Sequence, residues 1–543
     1  MSVSRVRFAL EWTRHIQQWL HCLRTWRDSA CARLRTLLFA QSPALLAPEQ
    51  GDRHSNGLKL LVQFRRIWTE QLHLNPIQLY RILQTPMGEA LLTQLRRPLV
   101  AQHVPTDKSA LRRALDRFAN EVETDASVSN GDRPIWRHLQ LDRDRLLEAT
   151  RQFERLVADT ETVVRTIAAL ATAEATYDPT VNYSHLPDLR MQGDFDPERF
   201  EFELTDYNRD NRQFQVVAYR PHPWRSPRTP VVLMSHGLGS TPHDFEDYAT
   251  YLASHGYFVA LPQHLGSDAS HVGDMLSGRA SDVFDLHEFV DRPWDMSCVL
   301  DELERRNRPE YKGQLDLRHV GAIGHSFGGY TVLALAGAEI DFDKLEGACE
   351  PVLNAPNPSL LLQCRALALP HEVYDLRDRR VQAVMPIDPV SSEVFGPFGL
   401  RRIRIPTLTI AGSEDRAAPA LLEPIRIFPW LRTRDRYLAL MQGKAHFGTF
   451  SAPQPGFKQS LSQVLRSDST VDPQQFYDYA YALSLAFLEV YIARNSFYRQ
   501  FLQSAYANHL SQSPHNLYLL SSASADALER ELHGLRHISK FVW

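Results

Sequence analysis

From about Phe200 onward, short apolar runs alternate with stretches of helical period. The runs read "FQVVAYRP", "PVVLMSHG", "YFVALPQH", "HVGAIGHS", "VQAVMPID", "PTLTIAGSED" and "RYLALMQGKAH". Runs that are apolar at nearly every position belong to strands covered on both faces. With helical crossovers between them, they predict an α/β fold, a largely parallel sheet with helices on both sides. In such sheets ligands sit at the carboxyl ends of the strands. Each of the last six runs ends in polar or charged residues, so the chemistry is expected there.

Before this region the period is helical. "TPMGEALLTQLRR", "ALRRALDRFANEVE" and "DRLLEATRQFERLVADTETVVRTIAALATAEA" space their apolar residues three and four apart. The loop "DASVSNGDRP" breaks two of these helices with Asn-Gly and Pro, and the polar stretch "TYDPTVNYSHLPDLRMQGDFDPE" reads as a boundary. Nearer the N-terminus, Trp12, Ile16, Trp19, Leu23, Trp26, Ala30, Leu34 and Leu37 form an apolar stripe among arginines. It reads as a helix docked on the rest of the protein. A helix lying on an anionic membrane surface is the sharper alternative, and an organelle-targeting peptide a third. Residues 470–510 return to helical period, and the end is polar, with a short helical pattern in "ADALERELHGLRH". The expected organisation is an amphipathic basic helix (1–45), an all-helical domain (46–180), the α/β domain (200–510) and a polar C-terminal tail (511–543).

Composition narrows the function classes. The 543 residues are 43% hydrophobic and 23% charged, as in an ordinary globular protein, and the formal net charge of -4 gives no sign of a nucleic-acid partner. Cys22, Cys31, Cys298, Cys349 and Cys364 are too few and too scattered for a disulfide scaffold, and their odd number leaves a thiol unpaired in a monomer. His287-Glu288 begins like a zinc-protease motif, but position 291 is Asp. No metal and no cofactor are expected. No apolar run reaches the ~18 residues of a membrane span. The arginine-rich N-terminus lacks a clean secretory signal, so the protein is expected in the cytoplasm or peripherally on a membrane.

One stretch draws attention on chemical grounds. Gly324-His325-Ser326-Phe327-Gly328 lies between a strand-like "HVGAIG" and a helix-like "GYTVLALAGAEI". A serine in such a strand–turn–helix elbow takes a strained conformation that small neighbours make tolerable, and its hydroxyl projects above the sheet. It needs a base and an orienting acid, in the chain order Ser, acid, His. His446 follows the last strand-like run. Asp415 follows the run before it and Asp388 the one before that; each could also cap the helix after it. In "SHGLGS", the glycine-rich loop lets the Leu238 N–H turn toward the serine, where it and the Phe327 N–H would bind an oxyanion. His236 reads as a packing residue of that loop, and His264 as structural or substrate-contacting.

"SHGLGS", "GHSFGG", the Asp after the penultimate strand and the late His resemble the α/β-hydrolase superfamily over roughly Phe214 to Phe450. Within it they look most like the platelet-activating-factor acetylhydrolase and dienelactone hydrolase-like groups. The resemblance implies Ser326 as nucleophile, His446 as base, and the Leu238 and Phe327 amides as oxyanion hole. Most of the superfamily would use Asp415 as the acid, which is preferred here; the platelet-activating-factor enzymes would use Asp388. "LQTPMGEALLTQL" followed by "ALRRALDRFA" is similar to a helical domain of unknown function that precedes some bacterial hydrolases. "LLLQCRALALP" resembles a helical insertion, at about residues 338–380, of a kind that often caps the pocket. The expectation is a serine carboxylic-ester hydrolase acting on a small-molecule or lipid-like apolar ester, with no nucleic-acid partner; peripheral membrane contact belongs to the alternative reading of the N-terminal helix. A thioesterase, amidase or acyltransferase with the same triad, or a non-catalytic scaffold, are the alternatives.

Overall fold

The apolar runs pair into one nine-stranded sheet. A computed structural model of the protein describes residues 76–95, 143–349, 357–446 and 473–535. The strands are β1 (Asp196–Asp206), β2 (Arg212–His222), β3 (Thr229–Ser235), β4 (Phe258–Pro262), β5 (Leu315–His325), β6 (Val381–Ile387), β7 (Thr407–Gly412), β8 (Arg436–Met441) and β9 (Leu517–Ser521). Their order in the sheet is β1-β2-β4-β3-β5-β6-β7-β8-β9. The six strands from β4 through β8 are parallel, whereas β1 and β2 at one edge and β9 at the other run antiparallel to their neighbours.

Helices cover both faces. α1 (Pro76–Gln84), α2 (Pro86–Leu95) and α3 (Arg143–Tyr177) precede the sheet. They are followed by α4 (Glu246–Ser254), α5 (Ala269–Ser277), α6 (Glu288–Asn307), α7 (Phe327–Leu335), α8 (Phe342–Cys349), α9 (Leu360–Gln363) and α10 (Ser392–Leu400). α11 (Pro424–Trp430), α12 (Pro473–Tyr491), α13 (Ser504–Leu510) and α14 (Ala525–Gly534) complete the set. Side chains on a strand point alternately to opposite faces, and the packing follows that period. On β3, Val231 and Leu233 join one core cluster while Val232 and Met234 join another; on β4, Phe258 and Ala260 part in the same way from Val259 and Leu261. A residue pattern that is apolar at every position is therefore what a strand between two helical layers requires. No described helix is long and apolar enough to cross a membrane.

Three features differ from or extend the sequence expectation. The polar tail is not a tail: β9 continues the sheet beside β8, and Ala525, Leu528 and Leu532 of α14 are buried. α3, expected to close a separate helical domain, packs Val163, Ile167 and Ala171 into the same cluster, and its Glu174 carboxylate accepts from the Ser521 N–H at 3.1 Å. Cys349 and Cys364 form a disulfide within the segment between α7 and β6. The N-terminal stripe, Trp12 to Leu37, lies outside the described residues.

If β9 belongs to the core, shortening one of its buried side chains must create a cavity. Leu520→Ala, at a wholly buried position beside α3 and α14, is expected to lower the unfolding free energy by about 2–5 kcal/mol. Denaturant titration measures it, and a change of only a few tenths would mean that the C-terminal strand is not packed as described.

Candidate active site

β5 ends at His325 and α7 starts at Phe327, so Ser326 alone makes the turn between them. It does so at φ 58° and ψ -116°, a region costly for any residue but glycine. The neighbours have no room for side chains. A Cβ on Gly324 would lie 2.0 Å from the Gly328 carbonyl oxygen, and one on Gly328 2.0 Å from that of Ser235. The Ser326 N–H donates to the Ile387 carbonyl at the end of β6, 2.9 Å away, and its carbonyl accepts from the Val390 N–H at 3.2 Å. Both bonds tie the elbow to the end of β6.

His446 lies just beyond β8, with Nε2 2.9 Å from Ser326 Oγ and Nδ1 2.6 Å from Asp415 Oδ2. The other Asp415 oxygen accepts from the Ala417 and Ala418 N–H groups, at 2.8 and 2.7 Å. Asp415 thus caps the turn after β7 while it holds His446; it does not cap a helix, because α11 begins only at Pro424, with Glu423 at its N-cap. All three side chains are buried. His325 Nε2 donates to the His446 carbonyl at 3.1 Å, which braces the histidine's backbone.

Asp388 stands apart from this chain of contacts. Its Oδ1 accepts from the Gly412 N–H at 2.8 Å, and its Oδ2 binds the Lys444 ammonium, with both side chains wholly buried. Burial pushes its carboxyl above the ordinary carboxylate range, against the pull of Lys444. Of the two candidate acids, Asp415 is the one that touches His446. His325, Asp388 and His446 bring ligand atoms within 4.8 Å of one another, as a metal site would. The ammonium already occupies the Asp388 oxygen, however, and the two ring nitrogens of His446 are engaged by Asp415 and Ser326. The cluster suits an ammonium, not a metal ion.

Beside the elbow runs the loop after β3. A Cβ on Gly237 would meet Ser326 Cβ at 3.3 Å, so the loop passes directly over the serine. Gly239, at φ 66°, donates its N–H to the Ser267 carbonyl at 2.8 Å. The His236 ring ties the loop to the end of β4: Nδ1 donates to the Gly237 carbonyl at 2.9 Å, and Nε2 accepts from the His264 N–H at 3.0 Å. Leu238 follows in this loop, and Phe327 opens α7, where first-turn N–H groups have no acceptor within the helix. His264, read from the sequence as structural or substrate-contacting, is wholly buried. It lies 3.0 Å from both Asp295 Oδ2 and Ser235 Oγ. Burial, then Arg292, Arg212 and Arg209, holds its pKa well below the ordinary value, so the ring stays neutral.

A sequence model of the alpha/beta hydrolase family matches residues 231–533. The chain belongs to that family. A second model, described as an alpha/beta hydrolase of unknown function (DUF1400), matches residues 58–127, of which only 76–95 are described. No curated protein matches the chain. In this hydrolase the sequence did not single out Lys444, His325 or Arg292. A lysine in a strand-end loop and an arginine on an amphipathic helix ordinarily read as solvated charge, and only tertiary packing shows that both are buried.

The Asp388–Lys444 pair gives a test of this arrangement. Asp388→Asn strands a buried ammonium and is expected to cost about 3–5 kcal/mol in urea unfolding. The double variant Asp388→Asn/Lys444→Met should recover most of that loss. A single-variant loss under about 1 kcal/mol, the scale of a solvated surface pair, would contradict the buried pairing.

Proposed function

We propose that the protein is a serine hydrolase of carboxylic esters, with Ser326 as nucleophile, His446 as base and Asp415 as orienting acid. The observation that carries this reading is the unbroken chain Ser326 Oγ–His446 Nε2, His446 Nδ1–Asp415 Oδ2, at 2.9 and 2.6 Å, ending on a strained elbow. His446 takes the hydroxyl proton as Ser326 Oγ attacks the acyl carbon, and the carbonyl oxygen becomes an oxyanion facing the Leu238 and Phe327 amides. As the tetrahedral intermediate collapses, the imidazolium gives its proton to the departing alkoxide. Water then enters, His446 takes a proton from it, and the resulting attack on the acyl-enzyme frees the acid and restores Ser326. Asp415 keeps the required tautomer and stabilises the imidazolium. A non-catalytic scaffold would have no need of a strained serine aligned with a buried histidine and carboxylate.

The substrate is read as an apolar ester on narrower support. Leu360, Leu362 and Leu369 of the leucine-rich segment are buried in the core, so packing accounts for them. What remains is the half-buried Leu238, next in the loop to Gly237, on which a Cβ would lie 3.3 Å from Ser326 Cβ. The Cys349–Cys364 disulfide supports an oxidising compartment over the cytoplasm.

Ser326→Ala is expected to abolish labelling by a fluorophosphonate and to lower ester turnover by several powers of ten with the fold retained. Near-wild-type activity in that variant would remove the nucleophile assignment. Asp415→Asn should lose roughly four powers of ten in kcat. Asp388→Asn, assayed below its melting temperature, should stay within about tenfold of wild type. The reverse ranking would transfer the orienting role to Asp388.

A further inference from the structure

Arg292, on α6, has a wholly buried side chain. Its Nη1 donates to the His236 carbonyl at 2.7 Å, its Nη2 to the Gly237 carbonyl at 3.4 Å and its Nε to Ser267 Oγ at 2.8 Å. Its Cζ lies 4.5 Å from the centroid of the Phe327 ring. One buried guanidinium thus contacts both segments that supply the amides facing Ser326. Its charge is balanced locally: Glu288 Oε2 is 3.4 Å from Nε and also accepts from the Ser267 hydroxyl.

The planar trans peptide turns these contacts into an orientation. Carbonyl and N–H of one trans peptide point in opposite directions. The Gly237 carbonyl accepts from Arg292 Nη2, from His236 Nδ1 and from the Ser240 N–H, the last at 3.2 Å. The N–H of the same peptide, that of Leu238, is therefore turned the other way, and Gly237 itself lies against Ser326. Glycines at 237 and 239 give this loop unusual freedom to rotate its peptides. A flipped Gly237–Leu238 peptide would present a carbonyl to the developing oxyanion and oppose it. A cation on the carbonyl also polarises the peptide and strengthens its N–H as a donor.

We propose that Arg292 is a positioning residue for oxyanion binding: it clamps the His236 and Gly237 carbonyls so that the Leu238 N–H faces Ser326, and steadies Phe327 through its ring. The inference rests on Ser326 being the nucleophile of an ester hydrolase. It differs from the role of His446 or Asp415, because Arg292 touches neither the serine nor the histidine through any described contact and moves no proton.

The test uses the full chain and three variants: Arg292→Lys, Arg292→Met, and Arg292→Met/Glu288→Gln, which restores charge balance if the single change unfolds the protein. For each, kcat and KM are measured on p-nitrophenyl butyrate, and inhibition constants on a trifluoromethyl ketone whose adduct with Ser326 carries an oxyanion. The active fraction is titrated with a fluorophosphonate. Both methionine variants are expected to lose about a hundredfold in kcat per active site, the scale of one lost oxyanion donor. KM should stay within about threefold, and ketone affinity should fall by the same factor as kcat/KM. Lysine, which keeps the charge but not the fork, should fall between. A loss of rate that only tracks the titrated active fraction, or a ketone affinity unchanged in the charge-balanced variant, would overturn the role of Arg292 while leaving the ester-hydrolase reading intact. A wild type that neither hydrolyses the ester nor labels at Ser326 would sink that reading and this inference with it.

Discussion

The turn at Ser326 is the constraint on which the rest of the molecule depends. β5 must end and α7 begin within one residue, and this holds only where three backbones approach closer than any side chain permits. The Gly328 backbone sits against the Ser235 carbonyl at the end of β3, and a Cβ on Gly329 would come within 2.7 Å of Pro389, just past β6. Helix α7 is thereby pressed down between the ends of two strands, and the serine hydroxyl has one place to go. The order β3-β5-β6-β7-β8 then decides what can reach it. The loop after β3 lies on one side, and the loops after β7 and β8 bring Asp415 and His446 from the other.

Both flanks of this site are held by charge removed from water. On one side Arg292, Glu288, Asp295 and the neutral His264 form a layer under the glycine loop, with Arg209 and Arg212 closing it toward the surface. On the other, Lys444 and Asp388 lie under the histidine loop. Buried ion pairs add little net stability compared with apolar packing of the same volume, yet removing one partner is severe. Their value here is directional. Apolar side chains could fill both layers, but they could not pull particular carbonyls and amides into particular orientations.

The parallel strands were legible because burial on both faces makes them apolar without interruption. The candidate chemistry was legible because each of its residues stands at the end of such a run. β9 was hidden for the opposite reason. "LYLLS" is a short run in a stretch that otherwise reads as polar, and it pairs antiparallel to β8, so its strand character depends on the free edge of β8 rather than on its own pattern. The same holds for α3, whose helix is plain in the sequence but whose burial against α14 is not. The Cys349–Cys364 pairing follows from how the segment between α7 and β6 folds back, which the residue spacing alone does not encode. Arg292 and Lys444 carry no signal in their residue types. What distinguishes them is the set of carbonyls and carboxylates that surrounds them after folding.

The late arrival of β9 affects how the protein is made. About seventy-five residues separate the end of β8 from the start of β9 along the chain. At ribosomal speeds of about 5–20 residues per second, that gap lasts roughly 4–15 s. Throughout it, the β8 edge offers unpaired backbone groups beside the apolar Leu438 and Leu440, the kind of template that recruits strands from other chains. Elongation then competes with intermolecular pairing at that edge until β9 arrives.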